Sequence, residues 1–243
     1  MRIMDRDVKQ LMVSPFQKRH YVALYHMMQV HPRFFECFRR YITNSGSYPY
    51  SVAIRSPLGE VMPTLYSYHD MLTVHEVFCR QDYRLDRGAK VIVDIGSNIG
   101  LSALYFLTRN PDCKCYLFEP VPANIEKLKK NLSHFEDRYI LREAAVADRS
   151  GTLEFGTEPS GRYGGLMSAT KEPIKVQCLH INDVLEEVLR TEPIIDLLKI
   201  DTEGVEEATI AAIDPRYLAK IRLIVYEGND GQAVKSISPS SGA

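Results

Sequence analysis

The 243-residue sequence has no long apolar run, no excess of charge of either sign and no patterned cysteines. Each absence removes a class of protein. A membrane-spanning helix needs ~20 mostly apolar residues, and no stretch approaches that. The opening MRIMDRDVKQ carries acids and lacks the apolar centre of a secretion signal. Lys and Arg number 30 against 31 Asp and Glu, a formal charge of -1, so no global field draws the chain to nucleic acid or an anionic membrane. Cys37, Cys79, Cys113, Cys115 and Cys178 are odd in number and form no CxxC pair, which argues against a disulfide framework or a zinc cage. The expectation is a cytoplasmic protein with reduced thiols, no nucleic-acid partner and no membrane association. Cys113 and Cys115 would put both sulfurs on one side of a strand, where a buried pair of small apolar groups is expected. No internal repeat is present.

What remains is the composition of a chain able to bury a sizeable core, 45% hydrophobic and 25% charged, sized for one domain plus an appendage. From Lys90 onward short apolar runs alternate with segments of helical period, the pattern of a mostly parallel sheet with helices on both faces, an α/β fold. KVIVDI reads as the first strand, with a helix from Leu101 to about Thr108 after it. CYLFEP is the second strand, PANIEKLKKNL its helix, and YILREAAV the third strand. The turn DRSG then leads into TLEFG and IKVQCLHI, a small antiparallel excursion. Between those two runs lies TEPSGRYGGLMSATKEP, a loop long enough to serve a substrate or simply to move. NDVLEEVL is helical, IIDLLKID the fourth strand, GVEEATIAAI its helix and IRLIVYEG the fifth strand.

The segment up to residue 87 differs. Tyr21, Leu24, Tyr25 and Met28 recur at helical spacing, as do Phe34, Phe35, Phe38 and Tyr41, and both stripes are expected to be core, with a substrate lid or a dimer face as the other reading. YSVAIRSPLGEVMPTLYSY predicts a hairpin turning near PLG, and DMLTVHEVF a helix capped by Asp70. The expected organisation is a helical and hairpin extension over 1–87, a ligand-binding domain over 88–232 and a flexible tail over 233–243.

The chemistry concentrates in VIVDIGSNIGLSALYFL. In parallel sheets ligands bind outside the carboxyl ends of the strands, beside helix N-termini. Gly96 and Gly100 permit conformations closed to other residues and a close approach to the main chain. The run D-I-G-S-N-I-G is not the G-x-G-x-x-G of a dinucleotide turn. Asn98 crowds it, and Asp94 is expected to repel phosphate and attract a cation. A ligand bearing an ammonium and a sulfonium, S-adenosylmethionine, fits better than two phosphates. Glu119 ends the second strand, where an acid grips ribose hydroxyls in nucleotide-binding sheets. At the fourth strand, LLKIDTEGVEEA places Asp201 and Glu203 at the same edge, with Glu206 expected on a helix surface and Glu227 closing the fifth strand. The acids also admit a hard metal ion, but without a loop of spaced ligands no metal is expected. Asp201 and Glu203 are the candidate bases for a hydroxyl proton, and His180 is a further one, with a packed or surface role the more expected.

Together VIVDIGSNIGLSALYF, YLFEPVPANIEKLKKNL, EAAVADRSGTLEF, CLHINDVL and LLKIDTEGVEEATI resemble the FkbM family of S-adenosylmethionine-dependent methyltransferases, mainly O-methyltransferases of sugar or natural-product hydroxyls, over roughly Asp70 to Glu227. The resemblance implies a class I, Rossmann-like methyltransferase fold. It implies Asp94, Gly96, Ser97, Asn98 and Gly100 around the methionine end of the cofactor, Glu119 on its ribose, and Ala145 with Glu143 beside adenine. Asp201 and Glu203 fall where methyl and acceptor meet. The acceptor differs between members and does not carry over; a small-molecule hydroxyl is the expected partner, and a homo-oligomer is compatible with it. One departure stands out. A complete fold of this class ends in a strand pair, whereas this chain closes in the short, polar KSISPSSGA, so the pair is expected to be missing and the fifth strand to be an open edge. The alternatives are a nicotinamide-dependent oxidoreductase on the same sheet and a non-catalytic or truncated binding protein.

Overall fold

The computed structural model describes residues 2–3, 6–7, 18–155, 174–202, 204–227 and 234–238. The chain divides into two units, Met1–Arg55 with Glu60–Asp82, and Ser56–Gly59 with Tyr83–Ala243.

In the first unit, β1 (Arg2–Ile3) pairs with β2 (Arg6–Asp7). Helices α1 (Lys18–Val30) and α2 (Phe34–Thr43) follow. Then come β3 (Tyr50–Ser51), β4 (Ile54–Ser56), β5 (Gly59–Val61) and β6 (Thr64–Leu65), with β4 on β5 and β3 on β6 as nested antiparallel pairs. The hairpin expected near PLG is therefore present. The aromatic stripe of α1 faces the other way from the expectation, and that of α2 does so in part, with Phe34 and Tyr41 half-buried and Tyr41 stacked on His75. Ala23, Met27 and Val30 are the buried residues of α1, and Cys37 and Arg40 those of α2. Tyr21, Leu24, Tyr25 and Met28 are exposed, Phe38 borders on it, and Phe35 is 84% exposed. Two apolar stripes of the same period run along α1, offset by about half a turn, and periodicity cannot say which turns inward. The face of Ala23, Met27 and Val30 does, and the face carrying Tyr21 and Tyr25 turns outward. Arg40 is held by Glu36, by the Ser47 carbonyl and by the face of Tyr50, its guanidinium carbon 3.7 Å from the ring centroid.

Helix α3 (Tyr68–Val74) starts earlier than expected. Its cap is Ser67, whose hydroxyl accepts from the Asp70 amide, while the Asp70 carboxylate accepts from the Ser67 amide at 2.9 Å. Asp70 is thus the third residue of a capping box rather than the cap itself. The helix widens into a π-helical turn, His75–Arg80, and stops at Gln81 in a left-handed conformation.

The second unit carries a six-stranded sheet of β7 (Val91–Ile95), β8 (Lys114–Phe118), β9 (Tyr139–Arg142), β13 (Leu197–Ile200), β14 (Ile224–Glu227) and β15 (Val234–Ile237). The order is β15-β14-β13-β7-β8-β9, with β7, β8, β9, β13 and β14 parallel and β15 antiparallel. Helices α4 (Leu101–Leu107), α5 (Pro122–Asn131), α6 (Ile181–Leu189), α7 (Glu206–Ala211) and α8 (Pro215–Leu218) connect the strands. All residues of β7 and β13 are buried, as central strands covered on both faces must be. One face packs Val91, Val93, Ile95, Leu198 and Ile200 against Val184, Leu185 and Val188 of α6. The chain reverses direction across the sheet between β7 and β13, which makes their carboxyl ends the switch point where such folds bind ligands.

Two expectations change here. The run YILREAAV is not one strand. Tyr139–Arg142 joins the main sheet, whereas β10 (Ala145–Ala147) leaves it to pair in parallel with β12 (Ile174–His180), which also takes β11 (Gly151–Phe155) antiparallel. The expected antiparallel excursion is therefore part of a second, three-stranded sheet. At the other edge, Val234–Ile237 lies in the segment expected to be flexible, yet it pairs with β14 from Glu227↔Val234 to Ile224↔Ile237. The fifth strand is thus covered by one antiparallel neighbour, a four-residue edge strand. The long loop TEPSGRYGGLMSATKEP lies within 156–173, outside the described residues.

Replacing Ser67 by Ala removes one half of the capping box and is expected to lower stability by about 1 kcal/mol, read as an earlier midpoint in urea unfolding, whereas Thr at this position should be close to neutral.

Candidate active site

The carboxyl ends of β7, β8 and β13 converge on the glycine turn. Strand pairing sets Asp94 directly opposite Lys199, on the same face of the sheet. Both are fully buried, Asp94 at 0% and Lys199 at 2% exposure. The Lys199 ammonium lies 2.9 Å from Asp94 Oδ1, off the line of a good hydrogen bond, while Ser102 of α4 donates to Asp94 Oδ2 at 2.6 Å. Lys199 also donates to the Gly96 carbonyl at 3.1 Å and sits 3.3 Å from Asp201 Oδ2. The Tyr83 ring covers it, its centroid 5.5 Å from Nζ. Burial pulls the lysine pKa down, but the carboxylates of Asp94 and then Asp201 outweigh burial and hold it above the usual lysine value.

This geometry corrects the expectation for Asp94. Its carboxylate is fully buried and its charge is balanced by Lys199 inside the protein, so that charge is not presented at the surface of the turn as the sequence suggested. What works against a diphosphate cradle is the use already made of the turn's amides. The Gly96 and Ser97 amides donate to the Phe118 carbonyl at 2.9 and 3.1 Å, the Asn98 amide to Glu119, and the Gly100 amide to the Ser97 carbonyl. Ser97 is buried, its hydroxyl donating to the Asp94 carbonyl. The glycines serve the protein's own packing. Gly96 has φ +78°, and a Cβ there would collide with the Asp201 carbonyl oxygen. Gly100 has φ +85°, and its Cβ would lie 3.1 Å from Leu128 and 3.2 Å from Leu132. Asn98, at φ +47°, is the turn residue whose side chain is partly exposed.

Glu119 is 4% exposed. Its carboxylate accepts from the amides of Asn98 at 2.8 Å and Val121 at 3.0 Å and from the Asn124 side chain at 3.3 Å. Burial raises its pKa to about 7, against the lowering effect of these donors. Three donors on about four acceptor positions leave room for one more, so the residue fits a ribose hydroxyl. Asp201 is a partly exposed acid of the edge, its side chain 28% accessible. Its neighbour Glu203 lies outside the described residues. Glu206 is not on a helix surface as expected. It is buried, and its carboxylate accepts from the amides of Thr202 and Gly204 at 2.8 and 2.9 Å, which folds the loop after β13 back on itself. Glu227 stands one place beyond the Ile200↔Tyr226 pair, exposed at the end of β14.

Glu143 is exposed and forms an ion pair with Lys129 at 2.9 Å. Ala145 is buried in the second sheet. His180 is the cap of α6, its Nδ1 accepting from the Asn182 amide at 3.1 Å, which accounts for it without chemistry. Cys113 and Cys115 are buried and free. Among the described residues no cluster of three His, Cys, Asp or Glu side chains is arranged to hold a metal ion, and no helix is long and apolar enough to cross a membrane. Sequence reasoning passed over Lys199. The visible signal was a lysine at the centre of an otherwise apolar strand, LLKID, where a charge must find a partner.

The sheet order, with its switch point between β7 and β13 and an acid at the end of each of the first, second and fourth parallel strands, defines a class I methyltransferase fold. The chain belongs to the FkbM family of S-adenosylmethionine-dependent methyltransferases: residues 94–234 match the Methyltransferase FkbM domain. Among curated proteins it is 28% identical over 173 residues to 2-O-methyltransferase NoeI of Sinorhizobium fredii, covering 64% of this chain and 70% of NoeI. It is 28% identical over 176 residues to 31-O-demethyl-FK506 methyltransferase FkbM of Streptomyces tacrolimicus, covering 59% of this chain and 67% of that protein. It also matches AMB antimetabolite synthetase AmbE of Pseudomonas aeruginosa, 26% identical over 69% of this chain, of which it spans only 10%. A solved FkbM methyltransferase from Methylobacillus flagellatus aligns with a TM-score of 0.42 and 12% identity, over 80% of this chain and 48% of that one.

Replacing Lys199 by Met should strip the buried Asp94 of its counter-charge and lower stability by about 3–5 kcal/mol, read as a lower urea midpoint. An unchanged midpoint would show that the pair contributes nothing to folding.

Proposed function

We propose that the chain is an S-adenosylmethionine-dependent O-methyltransferase acting on a hydroxyl of a sugar or natural-product small molecule. The observation that carries this reading is the meeting at one sheet edge of a buried acid with an acceptor position to spare, Glu119, and a partly exposed acid, Asp201, on either side of the glycine turn. The similarity to 2-O-methyltransferase NoeI and to the 31-O-demethyl-FK506 methyltransferase of S. tacrolimicus supports oxygen as the atom methylated.

Bound here, S-adenosylmethionine would supply an electrophilic methyl group on a sulfonium. Glu119 would accept from the ribose, and the main chain of the turn from Asp94 through Gly96, Ser97, Asn98 and Gly100 would border the methionine end. Glu143 and Ala145, where the chain leaves β9, border adenine. Asp201, with Glu203, orients the acceptor hydroxyl and takes its proton. Holding two reactants in line can contribute ~7–11 kcal/mol to the barrier reduction, and a positioned base a further ~10²–10⁴ in rate. Alignment is therefore the larger share, and the chain's main task is to hold the turn and Asp201 in register. Membership of a methyltransferase family leaves the nicotinamide reading without support.

Isothermal titration should show binding of S-adenosylhomocysteine, and thermal shifts should rise with that ligand and not with NAD; the reverse pattern would overturn the proposal. A positive result selects glycosides and polyketide-like alcohols for a screen with radiolabelled donor, in which Asp201→Asn should abolish transfer. Binding should also depend on pH. The folded pKa of Glu119 is raised, so this group lowers folding stability as pH climbs from its unfolded value near 4.5 to about 7, and the ribose hydroxyl favours its ionised form. Affinity for S-adenosylhomocysteine should therefore increase by up to about tenfold between pH 6 and pH 8 with proton release, and Glu119→Gln should flatten that dependence.

A further inference from the structure

The function proposed above uses Glu119, the glycine turn and Asp201, and leaves unexplained why a lysine is buried at their centre. A lone counter-ion for Asp94 would suffice to neutralise it. Lys199 does more: from one ammonium it reaches Asp94 Oδ1 at 2.9 Å, the Gly96 carbonyl at 3.1 Å and Asp201 Oδ2 at 3.3 Å. These three groups belong to the end of β7, to the turn beyond it and to the end of β13. The Asp201 carbonyl in turn occupies the space that a Cβ on Gly96 would need, so the two chain ends touch.

We propose that Lys199 is a positioning residue for methyl transfer, an internal cation that ties the cofactor-binding turn to the acid that receives the acceptor. Lys199 donates one hydrogen bond, to the Gly96 carbonyl, and holds the Asp94 and Asp201 carboxylates as ion pairs, and these three groups must keep fixed relative positions if the donor and the acceptor hydroxyl are to meet in line. Without it, Gly96 would lose a carbonyl partner, Asp201 could rotate away, and the two carboxylates would face each other unscreened. Tyr83 closes the remaining side of the ammonium. The role rests on the reading of the site as a methyltransferase centre and adds to it a residue that touches neither donor nor acceptor.

Two variants separate positioning from charge balance. The double variant Lys199→Met with Asp94→Asn leaves no uncompensated buried charge. Lys199→Arg keeps the charge, but its larger, planar guanidinium cannot stand as a compact point charge between the two carboxylates and the Gly96 carbonyl. Each is titrated with S-adenosylhomocysteine and unfolded in urea beside the unsubstituted chain. The expected result is cooperative unfolding in at least one variant, with binding weakened on the order of tenfold in every variant that folds, the size of coupling usual within one ion-pair network. Wild-type affinity in either folded variant overturns the proposal, because charge balance alone then explains Lys199. Loss of cooperative unfolding in both overturns it as well, because the residue then serves folding. If the unsubstituted chain itself fails to bind, the methyltransferase reading falls, an outcome distinct from the other two.

Discussion

One buried cation sets the geometry of the ligand-binding edge. In the two central strands, where every residue is buried, Lys199 and Asp94 face each other in register and neutralise one another away from water. Ion pairs at the surface, such as Lys129 with Glu143, contribute little because solvent screens both partners. A pair without solvent is different: its attraction is strong, but each partner alone is costly, so neither residue can be changed by itself. The consequence is a rigid join between the ends of β7 and β13, made at the place where an α/β sheet opens its crevice.

The other acids of that edge follow the same logic. Glu119 gathers the amides of Asn98 and Val121, and Glu206 gathers those of Thr202 and Gly204. Each is a buried carboxylate that replaces water for backbone donors a loop would otherwise leave unpaired. The edge is rich in acids, yet most of that charge is spent on holding loops in place. Among the described acids of that edge, Asp201 at the end of β13 and Glu227 at the end of β14 keep some exposure to solvent.

The first unit makes a related point about apolar surface. Its helices bury small or flexible residues, Ala23, Met27 and Cys37, and leave Tyr25 and Phe35 exposed. An aromatic ring at the right period is not thereby a core residue. At the sheet's far edge a four-residue strand is enough to cover β14, since an edge strand needs hydrogen bonds along one side only.

The succession of parallel strands and helices, the two glycines, and the placing of Glu119 and Asp201 at strand ends could be read from the chain because they depend on local signals: apolar runs of strand length, a turn that tolerates positive φ, an acid directly after a strand. The exchange of Tyr139–Ala147 between two sheets, the inward face of α1, the burial of Glu206 and the neutralisation of Asp94 could not. Each depends on which residue from a distant part of the chain arrives alongside, and for Asp94 that residue is Lys199, 105 positions away. The sequence by itself determined where charged groups sit along the backbone; the tertiary structure decided which of them meet, because electrostatic energy in a dry interior is fixed by distance and desolvation and not by order along the chain.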